Sequence, residues 1–294
     1  MTLGVATEPE ELRWQVNGLE IAGLAWGQPG QRPLLAIHGW LDNAASFAML
    51  APLLTGYRVI ALDMTGHGRS DRRSDDAAYQ IWDDLPEIVG VLEQLDWQTF
   101  DLIGHSRGAI ISTLLASAFP ERVQRLVLLD AVVPPPIPEA DFATQLRKAA
   151  LDKQRLLHRP NRTFASLDDA IANRASHGLT ERAAELIASR NLIAAGDEFT
   201  WSTDPRLTGA SAVKLTRGQV DTVLASLTMP VLLLLASSAA RRHPEVEQWA
   251  QQGIDRLQTG HVDGGHHFHM EEGVGEVAQR IATFLASAVE EEVA

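Results

Sequence analysis

Residues 104–108 read Gly-His-Ser-Arg-Gly, between an apolar stretch that begins at Phe100 and a stretch with helical character. In this setting two glycines permit a sharp turn that lifts a serine hydroxyl above the edge of a sheet. The N–H groups and positive dipole end of the following helix, predicted to run through Ile110–Phe119, would face charge that develops beside the serine. The pattern predicts that Ser106 is a nucleophile and that the backbone N–H of Arg107 is one oxyanion donor.

A serine nucleophile needs a general base. His266 follows the last predicted strand, at the sheet edge where Ser106 is expected, and it is the first candidate among the ten histidines. Its neighbour His267 is the nearest rival. The alternative for this histidine-rich segment is a metal site, for which Asp263 could supply a further ligand. The turn at Gly264-Gly265 and the helix that follows explain the segment without a metal, so we predict none.

The base in turn needs an acid that orients it. From Ser106 one helix and one strand, Val127–Leu129, return the chain to the same sheet edge, where Asp130 ends the strand. A carboxylate there is costly to bury without a partner, and His266 would supply one. The alternative role for Asp130 is to fix the turn before the proline-rich stretch that follows. The reserve candidates for the acid are Glu245, Glu247 and Asp263.

A second oxyanion donor should come from the loop after the third strand, where Trp40 follows His38-Gly39. Only the backbone N–H of Trp40 is needed, so its side chain is free to form a core contact or a pocket wall. We expect Trp40 and Trp201 to bind substrate. The Arg107 side chain could bind a substrate carboxylate, but we favour a stem that packs and a guanidinium that reaches water. We interpret the remaining polar loop residues as turn-forming: Asp42, His67, Arg69 and Asp71.

Composition limits the partners that the protein can have. The 294 residues are 45% hydrophobic and 21% charged, which is ordinary for a soluble globular protein. A net charge of −13 disfavours nucleic acid and anionic membranes. The absence of cysteine excludes disulfides and thiolate metal sites. Because Met1–Glu11 lacks the features of a leader and the longest apolar run, Val231–Ala236, is too short to span a bilayer, we expect a cytoplasmic protein with a small-molecule partner.

Alternating strands and helices must position these residues. Asn17-Gly18 predicts a hairpin, and the alternation after it implies a mostly parallel α/β sheet with a ligand site at the carboxyl ends of its strands. The predicted strands are Leu12–Val16, Leu19–Trp26, Pro33–Ile37, Tyr57–Asp63, a strand from Phe100, Val127–Asp130, Pro230–Ala236 and Ile254–Gln258. The predicted helices are Ser46–Leu54, Tyr79–Leu95, Ile110–Phe119, Pro244–Gln251 and Gly273–Val289.

The alternation stops at a stiff proline-rich segment, residues 134–138. From there to about Asp221 the sequence predicts several helices without a buried strand. We therefore predict a helical cap over residues 134–222, inserted between the two parts of the sheet domain, 1–133 and 223–294.

These motifs resemble those of the α/β-hydrolase superfamily, and most closely its serine hydrolase-like branch. The resemblance rests on residues 38–43, 63–70, 104–108 and 265–270, and on Trp201 with residues 204–207. It implies hydrolysis of esters or related acyl compounds by a Ser–His–acid triad without a cofactor. A serine stands where epoxide hydrolases and haloalkane dehalogenases carry aspartate, which counts against those two activities.

One departure from the family concerns the acid. Many relatives carry it after the penultimate strand, but no Asp or Glu occurs here from Thr222 to Pro244. Some members place the acid one strand after the nucleophile instead, where Asp130 stands. We therefore expect a serine hydrolase that cleaves small carboxylic esters between the sheet edge and the cap. The alternatives are a cofactor-free C–C hydrolase or perhydrolase, and a degenerate hydrolase fold that binds a ligand without turnover.

Overall fold

The computed structural model describes residues 8–237 and 244–290. Its strands, in chain order, are β1 (Glu10–Val16), β2 (Leu19–Trp26), β3 (Arg32–Ile37), β4 (Tyr57–Leu62), β5 (Phe100–His105), β6 (Val123–Leu129), β7 (Thr163–Phe164), β8 (Leu192–Ala195), β9 (Glu198–Trp201), β10 (Val231–Ala236) and β11 (Leu257–Val262). Its α-helices are α1 (Asp84–Gln94), α2 (Arg107–Ala118), α3 (Phe142–Leu156), α4 (Leu167–Ala175), α5 (Glu181–Asn191), α6 (Arg217–Ala225), α7 (Pro244–Gly253) and α8 (Val274–Glu290).

Eight strands form the central sheet in the order β1-β2-β4-β3-β5-β6-β10-β11. The first two pairings, β1 with β2 and β2 with β4, are antiparallel, and the others are parallel. Asn17 and Gly18 join β1 to β2 with φ values of 53° and 82°, as a tight hairpin turn of this kind requires. Because β5 lies at the centre of the sheet, with β3 and β6 beside it, the loops after all three strands meet at one edge.

Both faces of the sheet are covered. Alternate residues of one strand point to opposite faces, so Leu35 and Ile37 pack on the side of α1, α2, α6 and α7, while Leu34 and Ala36 pack on the side of α8. These four side chains of β3 are fully buried. The apolar strands therefore bind both helical layers and hold the strand ends in fixed positions.

Three element boundaries differ from the prediction for local reasons. The helix predicted over Ser46–Leu54 is two short 3-10 turns, Ala44–Phe47 and Ala51–Leu53. Helix α1 begins at Asp84 rather than Tyr79, because Pro86 fits the first turn of a helix but would disrupt the interior of a longer one. Strand β11 lies later than predicted and is an exposed edge strand, so it lacks the apolar run that marks the others.

The segment between β6 and β10 contains α3–α6 and a three-stranded antiparallel sheet in the order β7-β9-β8. The prediction of helices alone was incomplete here, because these strands are two to four residues long and mostly exposed. Helix α6 crosses the predicted boundary at residue 222, and its Val220 and Leu224 pack with the core of the large sheet. We refer to residues 134–216 as the intervening region.

Across the described ranges 8–237 and 244–290, no helix combines the length and the apolar character needed to cross a membrane. The sequence ends in an acidic stretch, Glu290–Glu292, of which Glu291 and Glu292 lie outside these ranges.

Candidate active site

Ser106 occupies the turn between β5 and α2. Its φ of 53° and ψ of −118° form a backbone conformation that residues other than glycine rarely adopt. The Ser106 N–H donates to Leu129 O of β6 at 2.9 Å, which fixes the turn. A Cβ atom at Gly104 would lie 2.4 Å from the Gly108 carbonyl, and one at Gly108 would lie 2.1 Å from the Ile37 carbonyl, so both positions require glycine. The turn leaves the serine half-buried at the strand end.

The His266 imidazole lies between Ser106 and Asp130. Its Nε2 is 2.8 Å from Ser106 Oγ, and its Nδ1 is 2.5 Å from Asp130 Oδ2. When Nδ1–H donates to the carboxylate, Nε2 is left to accept the serine proton. The histidine side chain is 44% exposed, whereas the aspartate side chain is 1% exposed. The imidazole is therefore open on one side and held by a buried carboxylate on the other.

Asp130 is itself held by the strand beside it. Its N–H donates to Leu234 O, and its Oδ1 accepts the N–H of Ala236, both at 2.8 Å. Leu234 and Ala236 belong to β10, the penultimate strand, which carries no acid of its own in this chain. The backbone at the end of β10 thus orients a carboxylate that belongs to β6.

The reserve acids lie in other contacts. Glu247 Oε2 is 2.9 Å from His261 Nε2, and Asp263 Oδ1 accepts the Ser237 hydroxyl at 3.1 Å. Glu245 lies at the start of α7. Asp130 is the acid that the structure brings to His266.

The two expected oxyanion donors, the N–H groups of Trp40 and Arg107, follow β3 and β5, which are neighbours in the sheet. The N–H of Arg107 is the first of α2 and has no carbonyl one turn earlier in its helix. Trp40 follows β3 in a tight loop in which the Asp42 N–H donates to Gly39 O at 3.2 Å. The Trp40 side chain is 49% exposed, so it is not a core residue, and its indole N–H donates to Leu207 O of the intervening region at 3.0 Å.

The expectation that the Arg107 side chain reaches water is wrong. Its guanidinium donates to the carboxylate of buried Asp84 at 2.7 Å. Arg73 also pairs with Glu87 at 2.6 Å and approaches Asp84 to 3.7 Å. Burial raises the pKa of Asp84, although Arg107 and Arg73 oppose the effect. Burial also raises the pKa of Glu87 to about 7, against the hydrogen bond from Thr65 and the charge of Arg73. Arg107 is therefore committed to a buried ionic network rather than to solvent.

His267 forms a second pair, with Asp42. Its Nε2 lies 3.2 Å from Asp42 Oδ2, and Arg174 of α4 donates to the other oxygen of the same carboxylate. Burial opposes ionisation of Asp42, but the hydrogen bond and charge of His267, together with Arg174, hold the pKa of this carboxyl far below its usual range. Asp42 thus links the loop after β3, the histidine loop and the intervening region.

His105 and His269 complete a buried histidine cluster. His105 Nε2 donates to the carbonyl of His266 at 2.8 Å, and its Nδ1 has no hydrogen-bond partner in the described part of the chain. Burial lowers the pKa of His105 well below its usual value and that of His269 to about 3, so both stay neutral.

These residues include a group with metal-ligand character. One atom each from Asp42, His105 and His267 lies within 4.8 Å of the other two. Asp263, the ligand considered from the sequence, is not in this group. Arg174 and His267 already satisfy the Asp42 oxygens, so hydrogen bonding accounts for the positions of Asp42 and His267.

The remaining loop residues have structural contacts. His67 is buried, and its Nε2 accepts the Leu41 N–H at 3.3 Å. The Asp71 carboxylate accepts the Glu20 N–H at 2.8 Å, and Arg69 pairs with Glu11 at 3.1 Å.

Sequence reasoning missed two charged residues that shape the site. Asp84 could have been suspected, because an acid lies among the apolar positions at the start of a helix. Arg174 carried no comparable signal, because its partner Asp42 lies 132 residues away in the chain.

Comparison with known proteins identifies the family. The model of the alpha/beta hydrolase fold matches residues 32–272. A serine hydrolase-like protein of Dictyostelium discoideum is 32% identical over 87% of this chain and 76% of its own length. The chain belongs to the α/β-hydrolase family. Within this family, serine hydrolase-like protein 2 of Homo sapiens is 30% identical over 94% of this chain and 93% of its own length, which places this α/β hydrolase in the serine hydrolase-like branch.

Solved structures agree with this assignment. A hypothetical protein of Pseudomonas aeruginosa PAO1 is 38% identical, with a TM-score of 0.90 over 94% of this chain and 99% of its own. The thioesterase domain from the curacin biosynthetic pathway is 27% identical, with a TM-score of 0.80 over 94% of this chain and 99% of its own. The predicted fold and the predicted resemblance are thereby confirmed.

Proposed function

We propose that this α/β hydrolase is a serine hydrolase that cleaves small carboxylic esters through Ser106, His266 and Asp130. The proposal rests on one continuous set of contacts, from Ser106 Oγ to His266 Nε2 at 2.8 Å and from His266 Nδ1 to Asp130 Oδ2 at 2.5 Å. Nucleophile, base and orienting acid are the three roles that acyl transfer to a serine requires.

Acylation would begin when Ser106 Oγ attacks the ester carbonyl carbon and His266 Nε2 takes the serine proton. The tetrahedral intermediate then carries a negative oxygen, and the buried Asp130 carboxylate stabilises the imidazolium. Collapse breaks the bond to the alcohol oxygen, which receives the proton from His266. A water molecule then attacks the acyl carbon while His266 Nε2 takes one of its protons. The bond from that carbon to Ser106 Oγ breaks, His266 returns the proton to Oγ, and the carboxylic acid leaves.

The backbone N–H groups of Trp40 and Arg107 would stabilise the negative oxygen. Donors that are fixed before the reaction cost no reorganisation, which makes them the most effective kind. Arg107 begins α2, so the positive end of the helix dipole adds to its contribution. We assign Arg107 this backbone role alone, because its side chain is bound to Asp84.

We further propose that the intervening region, residues 134–216, acts as a cap that forms part of the substrate pocket. We call the loop after β3, which carries Trp40, the oxyanion loop. The hydrogen bond from the Trp40 indole to Leu207 O supports the cap role, because it joins this loop to the intervening region. Trp201 is half-buried in the same region, with its ring 4.9 Å from that of Phe164. Trp40 and Trp201 would supply aromatic walls of the pocket.

The alternative of a degenerate fold rested mainly on the absence of an acid after the penultimate strand. Asp130 removes that support, because it contacts His266 and receives the Ala236 N–H from that strand. No observation favours C–C bond hydrolysis or perhydrolysis over ester cleavage.

The direct assay compares wild-type protein with Ser106→Ala on short- and medium-chain p-nitrophenyl esters. Loss of a nucleophile lowers kcat by about 10⁶-fold at most. The residual rate comes from substrate binding and from the oxyanion donors, which the substitution leaves in place. Ser117→Ala is a matched control, since Ser117 is a half-buried serine of the same helix and should leave turnover unchanged. Near-wild-type turnover by purified Ser106→Ala would refute the serine mechanism.

A further inference from the structure

A cavity of about 370 Å³ adjoins the oxyanion loop. Leu41, the residue after Trp40, forms one wall, and the intervening region forms most of the others. Ser106 is not among the residues that line it, so the cavity would hold a part of the substrate remote from the ester bond. Its volume suits a group of several non-hydrogen atoms, within the range of small-molecule sites.

The charge of the lining is opposite to that of the chain. Arg159, Arg162 and Arg174 line this cavity in a protein whose net charge is −13. Asp204 is the single acid among the lining residues that the structure describes, and its carboxylate already accepts the Arg206 guanidinium at 2.7 Å. The cavity therefore retains an excess of positive charge.

Two of the arginines carry that excess. Arg174 is neutralised by Asp42, as described above. Arg159 and Arg162 have no carboxylate within ion-pair distance in the part of the chain that the structure describes. The Arg162 guanidinium lies 5.3 Å from the centre of the Phe164 ring, within the range of a cation–π contact. A concave surface that carries charge of one sign concentrates ligands of the opposite sign.

The neutral lining residues also fit an anion. The Asn173 side-chain amide can donate hydrogen bonds, and Trp201 supplies an aromatic wall. Guanidinium groups match the paired oxygens of carboxylates and phosphates, which makes arginine the usual choice for both.

We propose that this cavity binds an anionic group, a carboxylate or a phosphate, carried by the ester substrate at the end away from the bond that is cleaved. The assignment of the anion to a substrate rests on the proposed ester hydrolysis, whereas the binding of the anion does not. Arg159 and Arg162 are the residues that would select this substrate class.

The test uses two esters that differ mainly in one charge, p-nitrophenyl butyrate and the mono-p-nitrophenyl ester of glutaric acid. We expect wild-type kcat/KM to be at least about tenfold higher for the anionic ester, since each 1.4 kcal/mol of binding gives a factor of ten. The preference should decrease as ionic strength rises. A wild-type enzyme that hydrolyses both esters equally well would overturn the inference and leave the serine mechanism intact.

The variant Arg159→Ala/Arg162→Ala should lose most of this preference while its activity on p-nitrophenyl butyrate persists. Arg147→Ala/Lys148→Ala is the matched control, because it removes the same charge from exposed positions of α3 outside the cavity. An unchanged preference in the cavity variant, or an equal loss in the control, would contradict the proposal.

Glutarate and glycerol phosphate, each tested as an inhibitor of p-nitrophenyl butyrate hydrolysis, distinguish the two anions. The stronger inhibitor of the wild type identifies the group, and its effect should weaken in Arg159→Ala/Arg162→Ala. Should the wild type hydrolyse neither ester, the proposed function fails, but calorimetric titration of the same two anions still tests the cavity. Binding that is absent from the wild type, or unchanged in the variant, would then overturn the inference.

Discussion

Two histidine–aspartate pairs lie side by side at the edge of the sheet, and they differ in what surrounds them. His266 and His267 are consecutive, and their rings are 5.2 Å apart at an angle of 81°. His266 contacts Asp130 at 2.5 Å, whereas His267 contacts Asp42 at 3.2 Å. Residues of the same types, placed on the same loop, thus form two similar contacts within a few ångströms.

The surroundings give the two pairs different capabilities. The side chain of His266 is 44% exposed and that of His267 is 12% exposed. The spare oxygen of Asp130 accepts a backbone N–H, which orients the carboxylate without neutralising it, whereas that of Asp42 accepts Arg174. A pair that acts as a base needs an open histidine nitrogen next to a nucleophile, and only the first pair has Ser106 there. The second pair fits a role in holding three segments together.

The largest expected difference comes from Asp130→Asn. This change keeps the shape of the side chain but removes the charge that holds the imidazole in its reactive tautomer, so kcat should fall by about 10⁴-fold. The thermal midpoint should change little, because the amide oxygen can still accept the Ala236 N–H. Steady-state kinetics on a p-nitrophenyl ester, with Glu247→Gln as control, tests this. Activity that survives Asp130→Asn but disappears in Asp263→Asn would assign the acid elsewhere.

The second pair should respond in the opposite way. His267→Gln removes a partner of buried Asp42, which should lower the free energy of unfolding by about 1–3 kcal/mol. Because His267 does not contact Ser106, kcat should stay within the same order of magnitude. Urea denaturation and ester hydrolysis, measured on one preparation, give both values. A loss of turnover as large as that of Asp130→Asn, without loss of stability, would remove the distinction between the pairs.

The smallest effect concerns the buried histidines beside the second pair. Burial lowers the pKa of His269 to about 3 from its ordinary value of 6.5. The unfolded chain therefore binds a proton below about pH 6.5 that the folded protein does not bind, so stability is present above this pH and is lost as the pH falls toward 3. His269→Asn cannot be protonated, and its thermal midpoint should fall less between pH 7 and pH 5 than that of the wild type.

The wild type must be compared with His269→Asn, because Glu87 changes the stability of both proteins with pH in the opposite direction. Its pKa is raised to about 7, so its contribution to stability is lost as the pH rises. An identical fall in midpoint for the wild type and His269→Asn would mean that the folded protein protonates His269 as readily as the unfolded chain does.

The sequence predicted best what the topology of the backbone determines. A path of one helix and one parallel strand returns the chain to the same edge of the sheet, and the structure brings Asp130 from that path to His266. The glycines at 104 and 108 predicted the strained serine turn for a similarly local reason.

The sequence could not predict contacts between distant side chains. Asp42 meets Arg174 across 132 residues, and Arg107 meets Asp84 across 23. Neither contact follows from periodicity, because each depends on how separate segments pack. The strands β7–β9 and the edge strand β11 were missed or misplaced because little of their surface is buried. The arginine-lined cavity is likewise formed by segments that meet only in the folded chain.

The most direct test of an activated serine is covalent labelling with a fluorophosphonate, followed by intact-mass measurement and peptide mapping. The reagent forms a bond from serine oxygen to phosphorus and releases fluoride, which requires the nucleophile and its base but no knowledge of the natural substrate. The wild type should gain one phosphonyl group on the peptide that contains Ser106. Ser106→Ala should gain none, and Asp130→Asn should react far more slowly. An unlabelled wild type, or the same adduct in Ser106→Ala, would contradict the account.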